Sequence, residues 1–121
     1  MKILEVANKL VSIFKYVHVS KRTFQDLKPQ NVMINTMGNL DSDPEVFLID
    51  FGFATKYVTE TGKEHNPESC KVDEFTGNLI FASERQMSFG ATSRRDDIIS
   101  LFYMLIYMLN DGSLWVANDP T

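Results

Sequence analysis

Asp26-Leu27-Lys28-Pro29-Gln30-Asn31 at residues 26–31, read together with Asp50-Phe51-Gly52 at residues 50–52, decides how this chain is interpreted. The hexapeptide supplies an acid, a cation and an amide, and a second acid heads the tripeptide. Between the two lie Val32-Met33-Ile34 and Val46-Phe47-Leu48-Ile49, both short and β-prone. The segment from Asn35 to Pro44 is rich in Asn, Asp, Gly and Pro, which predicts a long hairpin loop joining them. Upstream, Ile3, Val6, Ala7, Leu10, Val11, Ile13, Phe14 and Val17 recur at helical spacing, with Lys2, Glu5, Asn8, Lys9 and Lys15 opposite. That pattern predicts an amphipathic helix over 3–17, ended by polar Ser20 to Thr23. The first acid therefore follows a helix, and the second ends a strand.

Downstream, residues 55–74 are polar and aperiodic and predict an extended loop. Ser93 or Asp96 can cap a last helix running to about Leu109, and Gly112 stands where helices often stop. This helix is apolar nearly all round, so it requires partners on every side. Neither an internal repeat nor a low-complexity segment is present.

Composition narrows the function. With 121 residues the chain suits one domain or part of one, and its 44% apolar content supports a core. Lys and Arg total 12 against 16 Asp and Glu, a net charge of −4. This balance argues against nucleic acid or an anionic membrane as partner, since both select positive surfaces. The single cysteine, Cys70, rules out an internal disulfide and favours a reducing, intracellular setting, cytoplasm or nucleus. No signal peptide is read at the N-terminus, where Glu5, Asn8 and Lys9 interrupt the apolar run. The greasiest stretch, Ile98 to Leu109, falls short of the roughly 20 apolar residues that span a bilayer.

The two acids, the cation and the amide match the needs of phosphoryl transfer. One carboxylate must orient the attacking hydroxyl and accept its proton; a carboxylate and an amide must hold Mg²⁺ against a triphosphate; a cation must offset charge on the transferred group. Either short motif alone is common, but both in this order, framed by helix, strand and hairpin, form a strong signal.

On these motifs the chain resembles the eukaryotic protein kinases, and more narrowly the casein kinase 1 family. The narrower likeness rests on Tyr16-Val17-His18, Leu48-Ile49-Asp50-Phe51-Gly52 with Lys56-Tyr57, Phe75-Thr76-Gly77 followed by Ala82-Ser83, and above all Ser93-Arg94-Arg95-Asp96-Asp97. The resemblance runs from about Leu4 to Trp115. It implies an α+β fold: a mainly helical portion of the kinase C-terminal lobe, with a small β-hairpin carrying the catalytic and Asp-Phe-Gly loops. Residues 1–121 would form one partial kinase domain, from the helix before the catalytic loop to just past the central buried helix.

The resemblance also implies roles. Asp26 would be the catalytic base and Lys28 would contact the γ-phosphate of ATP, a lysine that marks serine/threonine kinases. Asn31 and Asp50 would ligate Mg²⁺, a hard ion that prefers oxygen. Met33 would floor the adenine site, Ile49 would line it, and Asp97 would accept backbone N–H groups of the catalytic loop. A protein bearing Ser or Thr would be the substrate.

Several positions depart from the family. The usual His-Arg-Asp is Phe24-Gln25-Asp26 here; Phe24 can pack on Phe51 as the histidine does, whereas Gln25 cannot make the arginine's charged contact to a loop phosphate. Switching by activation-loop phosphorylation is therefore not expected. Asn78 replaces a threonine that hydrogen-bonds the catalytic aspartate, and asparagine can still donate. Ile80 replaces an arginine that binds phosphate on primed substrates. Ala82-Ser83-Glu84 mimics Ala-Pro-Glu, but the count from Gly77 puts Arg85 at the glutamate position. Leu114-Trp115 lacks the family's intervening proline.

Other readings are plainer. His18 is expected to be a packed or hydrogen-bonded histidine rather than a ligand, and Arg94-Arg95 surface or loop-anchoring charge. Asn39, Asp41 and Asp43 echo a calcium loop, but Pro44 and Asp50 occupy positions that such a loop gives to glycine and glutamate. No glycine-rich loop or strand lysine stands before the first helix in this sequence, so the chain alone is expected to be inactive. Two functions compete: part of a casein kinase 1-like enzyme, or a non-catalytic pseudokinase acting as an interaction module. An uncovered Ile98 to Leu109 would forfeit several kcal/mol of burial at roughly 25 cal/mol per Å², and self-association is expected.

Overall fold

A computed structural model describes residues 2–35, 45–110 and 112. Helix α1 spans Lys2–Val19, and a two-residue strand β1, Arg22–Thr23, follows it. A single 3₁₀ turn, Pro29–Asn31, leads into β2, Val32–Asn35, which pairs antiparallel with β3, Glu45–Leu48. Strand β4, Thr55–Lys56, pairs back with β1. Two more helices follow, the short α2, Glu84–Met87, and α3, Arg94–Leu109. Helices and small sheets together make an α+β architecture.

The amphipathic stripe packs as the spacing predicts: Val6, Ala7, Leu10 and Phe14 are buried, with Leu10 and Phe14 almost wholly so. They meet Leu101 and Met104 of α3, together with Phe24, Leu27 and Phe81 from the loops. Fully burying a side chain the size of Leu10 or Phe14 contributes about 1.5–3 kcal/mol, so α1 owes its stability to this face rather than to propensity. Val11 departs from the expected stripe. It is exposed and, with Leu4 and Phe102, lines a shallow apolar cleft between α1 and α3.

In the hairpin, Met33 stands opposite Phe47 and Val32 opposite Leu48. Val32, Val46 and Leu48 pack on the core, while Met33 and Phe47 are exposed. Side chains alternate across a strand, so Ile49 continues the exposed face of Phe47. The proposed hairpin loop, its calcium-like residues Asn39, Asp41, Asp43 and Pro44, and Leu114-Trp115 lie outside the described residues.

Both ends of α3 are fixed by local hydrogen bonds. Ser93 N donates to Asp96 Oδ2 at 2.8 Å, half of a capping box, and Gly112 N donates to the Tyr107 carbonyl at 2.7 Å. Gly112 has φ +84°, a conformation that closes the helix at little cost only for glycine. Burial along α3 is one-sided: Ser100, Leu101 and Met104 are inside, while Phe102 and Leu109 face out at 61% and 48%. Among the described residues no helix is long and apolar enough to cross a membrane.

The polar segment expected to be a plain loop is tied down at several points. Beyond the β1–β4 pair, Val58 bridges His65 and Lys71 bridges Gly90. Arg94 lies over the Tyr57 ring at 5.2 Å and Arg85 Nη2 donates to the Glu68 carbonyl at 2.5 Å. Helix α2 is absent from the sequence reading because four residues are too few to show a period. Its start is set by Ser83, whose Oγ accepts from Gln86 N at 3.1 Å and donates to Asp96 Oδ1 at 2.6 Å.

Candidate active site

The Asp26–Asn31 segment is held from below by one carboxylate. Asp97, in the first turn of α3 and 2% exposed, accepts from Phe24 N at 2.8 Å and Gln25 N at 2.9 Å. His18 Nε2 lies 2.8 Å from Asp97 Oδ2, so the end of α1 joins the same cluster. The Tyr57 hydroxyl donates to the His18 carbonyl at 2.6 Å. His18 is thus a packed, hydrogen-bonded side chain, stacked on Phe14 with ring centroids 5.6 Å apart. The cluster joins α1, the Phe24–Gln25 segment, Tyr57 and α3, which fixes where Gln25 and Asp26 sit.

Asp26 is buried, and its carboxylate is met by two amides. Asn31 Nδ2 lies 3.0 Å from Oδ2 and also donates to the Asp26 carbonyl at 2.8 Å. Asn78 Nδ2 donates to Oδ1 at 3.2 Å and to the Leu27 carbonyl at 3.0 Å. Asparagine at 78 therefore supplies the donor expected of it. Both protons of the Asn31 amide point to Asp26, while its Oδ1 takes no hydrogen bond among the described residues.

Asp50 is brought alongside by the backbone. Ile49 N donates to the Asn31 carbonyl at 2.9 Å, so the residue before Asp50 is bonded directly to the residue that orients Asp26. Asp50 itself is exposed, has φ +64°, and accepts from Gly52 N at 3.2 Å through Oδ1. Non-glycine residues seldom hold this conformation, which costs about 1–3 kcal/mol, and Gln25 beside Asp26 holds it too at φ +69°. Phe51 then packs edge-on against Phe24, centroids 5.0 Å apart. Phe24 thus fills the role that aromatic packing predicted for it.

Gln25 has all four polar groups engaged. Besides its N–H to Asp97, its carbonyl accepts from Gln86 Nε2 at 2.9 Å. Its side chain donates to the Phe53 carbonyl at 2.8 Å and accepts from Thr92 Oγ1 at 2.9 Å. Neutral hydrogen bonds connect the segments flanking the site where a charged contact was not expected. Gln86 also donates to the Thr76 carbonyl at 2.7 Å. Nothing in the sequence marked Gln86 or Thr92; a buried glutamine in a four-residue helix has no pattern to betray it.

Of the remaining candidates, Lys28 is half-buried and lines a cleft of about 600 Å³ with Pro29, Asn78 and Ile80. Met33 and Ile49 lie on the exposed face of the hairpin, adjoining Asp50 in sequence through Ile49. Among the described residues no three His, Cys, Asp or Glu side chains gather at metal spacing. A Mg²⁺ held by one or two protein oxygens together with phosphates and waters requires no such cluster, and the Asn31–Asp50 pair offers only hard oxygen donors.

Residues 2–121 match the protein kinase domain family. A casein kinase 1-like protein of Oryza sativa subsp. japonica is 30% identical over 110 residues, covering 91% of this chain and 15% of that protein. The probable casein kinase I homolog of Encephalitozoon cuniculi is 32% identical over 111 residues, covering 92% of this chain and 32% of its own length. The chain thus spans less than a third of either relative. With its full described length matched to that one family, this chain belongs to the protein kinase domain family.

Proposed function

We propose that these residues form the phosphoacceptor and metal-binding part of a casein kinase 1-like serine/threonine kinase site, lying in the C-terminal lobe, with Asp26–Asn31 as its catalytic loop. The activity is proposed for the protein in which the chain stands, because its relatives are several times longer. The observation that carries the reading is the fixed triangle of Asp26, Asn31 and the Ile49–Asp50 backbone.

In this reading Asp26 accepts the proton of the substrate Ser or Thr hydroxyl. Asn31 and Asn78 hold its carboxylate in place, so the base need not reorganise as the hydroxyl attacks. Lys28, on the cleft side, meets the transferred phosphoryl group of ATP. Asn31 Oδ1 and the Asp50 carboxylate would hold Mg²⁺, which supplies charge neutralisation on the triphosphate when bound. Met33 and Ile49 present an apolar face suited to a nucleobase. Gln25 ties the loop to Phe53 and Thr92 without a phosphate, which supports a site assembled independently of loop phosphorylation.

The test separates binding from chemistry. Calorimetric titration of the chain with ATP is expected to show Mg²⁺-dependent binding that Asp50→Ala weakens at least about tenfold. Asp26→Asn is expected to leave that binding within about twofold, and, introduced into the longer protein in which the chain stands, to abolish phosphate transfer to a serine peptide. Binding indifferent to both Mg²⁺ and Asp50→Ala would refute the proposal.

The alternative, a non-catalytic interaction module, draws on the apolar outer face of α3. Phe102, Ile106 and Leu109 are exposed there, and Phe102 shares a cleft with Leu4 and Val11 of α1. A face of this kind favours association. We expect the chain to sediment above its 13.8 kDa monomer mass and Phe102→Glu to shift it toward monomer. A wild-type monomer at all concentrations would contradict this.

A further inference from the structure

Beside Asp26 lies the cleft of about 600 Å³ already met through Lys28. Its floor is aromatic: Phe81 is buried and meets Tyr107 edge-on, centroids 5.3 Å apart. One wall is the Asn78–Phe81 turn, closed by the bond from Phe81 N to Asn78 Oδ1 at 2.8 Å. That turn thrusts Leu79 and Ile80 outward, and they are 67% and 62% exposed. Large aliphatic side chains this open, on a turn this well tied, are more than scattered surface residues.

Two features say what belongs there. The cleft is continuous with the reaction centre, since Asn78 lines it and also donates to Asp26. It is also poor in charge. Among the described residues Lys28 is its single ionic side chain, whereas Arg85, Arg94 and Arg95 line a separate cleft with Tyr57 and His65. A phosphate or carboxylate entering between Leu79, Ile80 and Tyr107 would lose water with Lys28 as the one cation among the described lining residues to replace it, and that cation is assigned to the transferred phosphoryl group.

We propose that this cleft selects substrate polypeptide carrying a large apolar side chain one or two residues from the phosphoacceptor, with Ile80 and Leu79 as the specificity-determining residues. The inference rests on the kinase reading for its register, because an extended chain advances roughly 3.3 Å per residue from a hydroxyl seated at Asp26. Its chemistry is that of partner side-chain burial, which discriminates by about tenfold or more for one well-seated aliphatic group.

The experiment uses fluorescein-labelled decapeptides with one serine, identical except for Leu, Ala or phosphoserine at the first and second positions on either side of it. Anisotropy is measured on the chain without nucleotide. The leucine peptide at one of these positions is expected to bind about tenfold or more tighter than its alanine and phosphoserine counterparts. Ile80→Arg, at an exposed position, is expected to erase the leucine preference and raise affinity for phosphoserine; Leu79→Ala should weaken only the leucine peptide. Equal binding of the leucine and alanine peptides, an unchanged ranking in Ile80→Arg, or no binding of any peptide would each overturn the proposal. Because nucleotide is left out, a peptide preference can stand even if the Mg²⁺·ATP titration fails, and that titration can succeed while this preference fails.

Discussion

Replacing Asp97 with alanine is expected to destabilise the chain by about 3–5 kcal/mol, a large share of the roughly 5–15 kcal/mol that holds a small domain folded. The carboxylate is 2% exposed and serves three partners: Phe24 N, Gln25 N and His18 Nε2. Alanine would leave two backbone donors in a space with no water to receive them, each at about 1–3 kcal/mol. Gln25 would then lose the anchor that keeps it at φ +69°, so local strain adds to the loss. Asp97→Asn retains the shape but offers one oxygen where two donors converge, so it should recover only part of the difference. Urea denaturation of wild type and both variants checks the order. A midpoint for Asp97→Ala equivalent to less than about 1 kcal/mol would show that solvent reaches the cluster and that the loop is held by something else.

The role of Asp97 could be expected from sequence only through family likeness; as a lone acid at a helix start it reads equally well as a cap. What periodicity does expose is the long elements. Eight apolar residues at helical spacing specify α1, and β-prone runs on either side of a turn-rich segment specify the β2–β3 pair. The core contacts of Phe14, Leu101 and Met104 then follow from geometry. Pairings with little local signature stay hidden. Arg22–Thr23 and Thr55–Lys56 are two residues each, too short for alternation to fix a register, yet their pairing pins the polar loop beneath the site. Exposure is also hard to anticipate. Val11 fits the helical stripe and still faces solvent, because what covers a stripe depends on the neighbouring helix and not on spacing.

The site divides along the same line. Asp26, Asn31 and Asp50 are legible because their order and framing are chemically demanding, and the backbone bond from Ile49 to Asn31 brings the three into one neighbourhood. Gln86, Thr92 and the four-way engagement of Gln25 are not legible, since they join segments far apart in the chain through side-chain amides and hydroxyls that occur everywhere in sequences. Such polar links are expensive to leave half-made, so each is a place where one substitution should cost stability.

Gly77 is the sharpest of these places, and Gly77→Ala is expected to cost about 2–4 kcal/mol and to displace Asn78 from Asp26. Its φ is +106°, a region costly for any residue with a Cβ. A Cβ placed there would stand 2.4 Å from both the Gln25 carbonyl oxygen and Gln86 Nε2. The glutamine tip can swing aside, but the carbonyl belongs to the backbone that carries Asp26 and cannot yield without moving it. Since Asn78 is the next residue, its bonds to Asp26 and to the Leu27 carbonyl must shift as well. Gln86→Ala separates the two sources of crowding: alone it removes two hydrogen bonds without strain, and combined with Gly77→Ala it relieves only the side-chain clash. The double variant should therefore lose less stability than the two single losses added together, by about 1 kcal/mol, with the remainder assigned to the carbonyl and to φ. The side-chain amide resonance of Asn78, followed by NMR, should move in Gly77→Ala and stay near its wild-type position in Gln86→Ala. If Gly77→Ala unfolds at the wild-type denaturant midpoint with that resonance unchanged, the close approach of Gly77 to Gln25 does not govern how Asp26 is held.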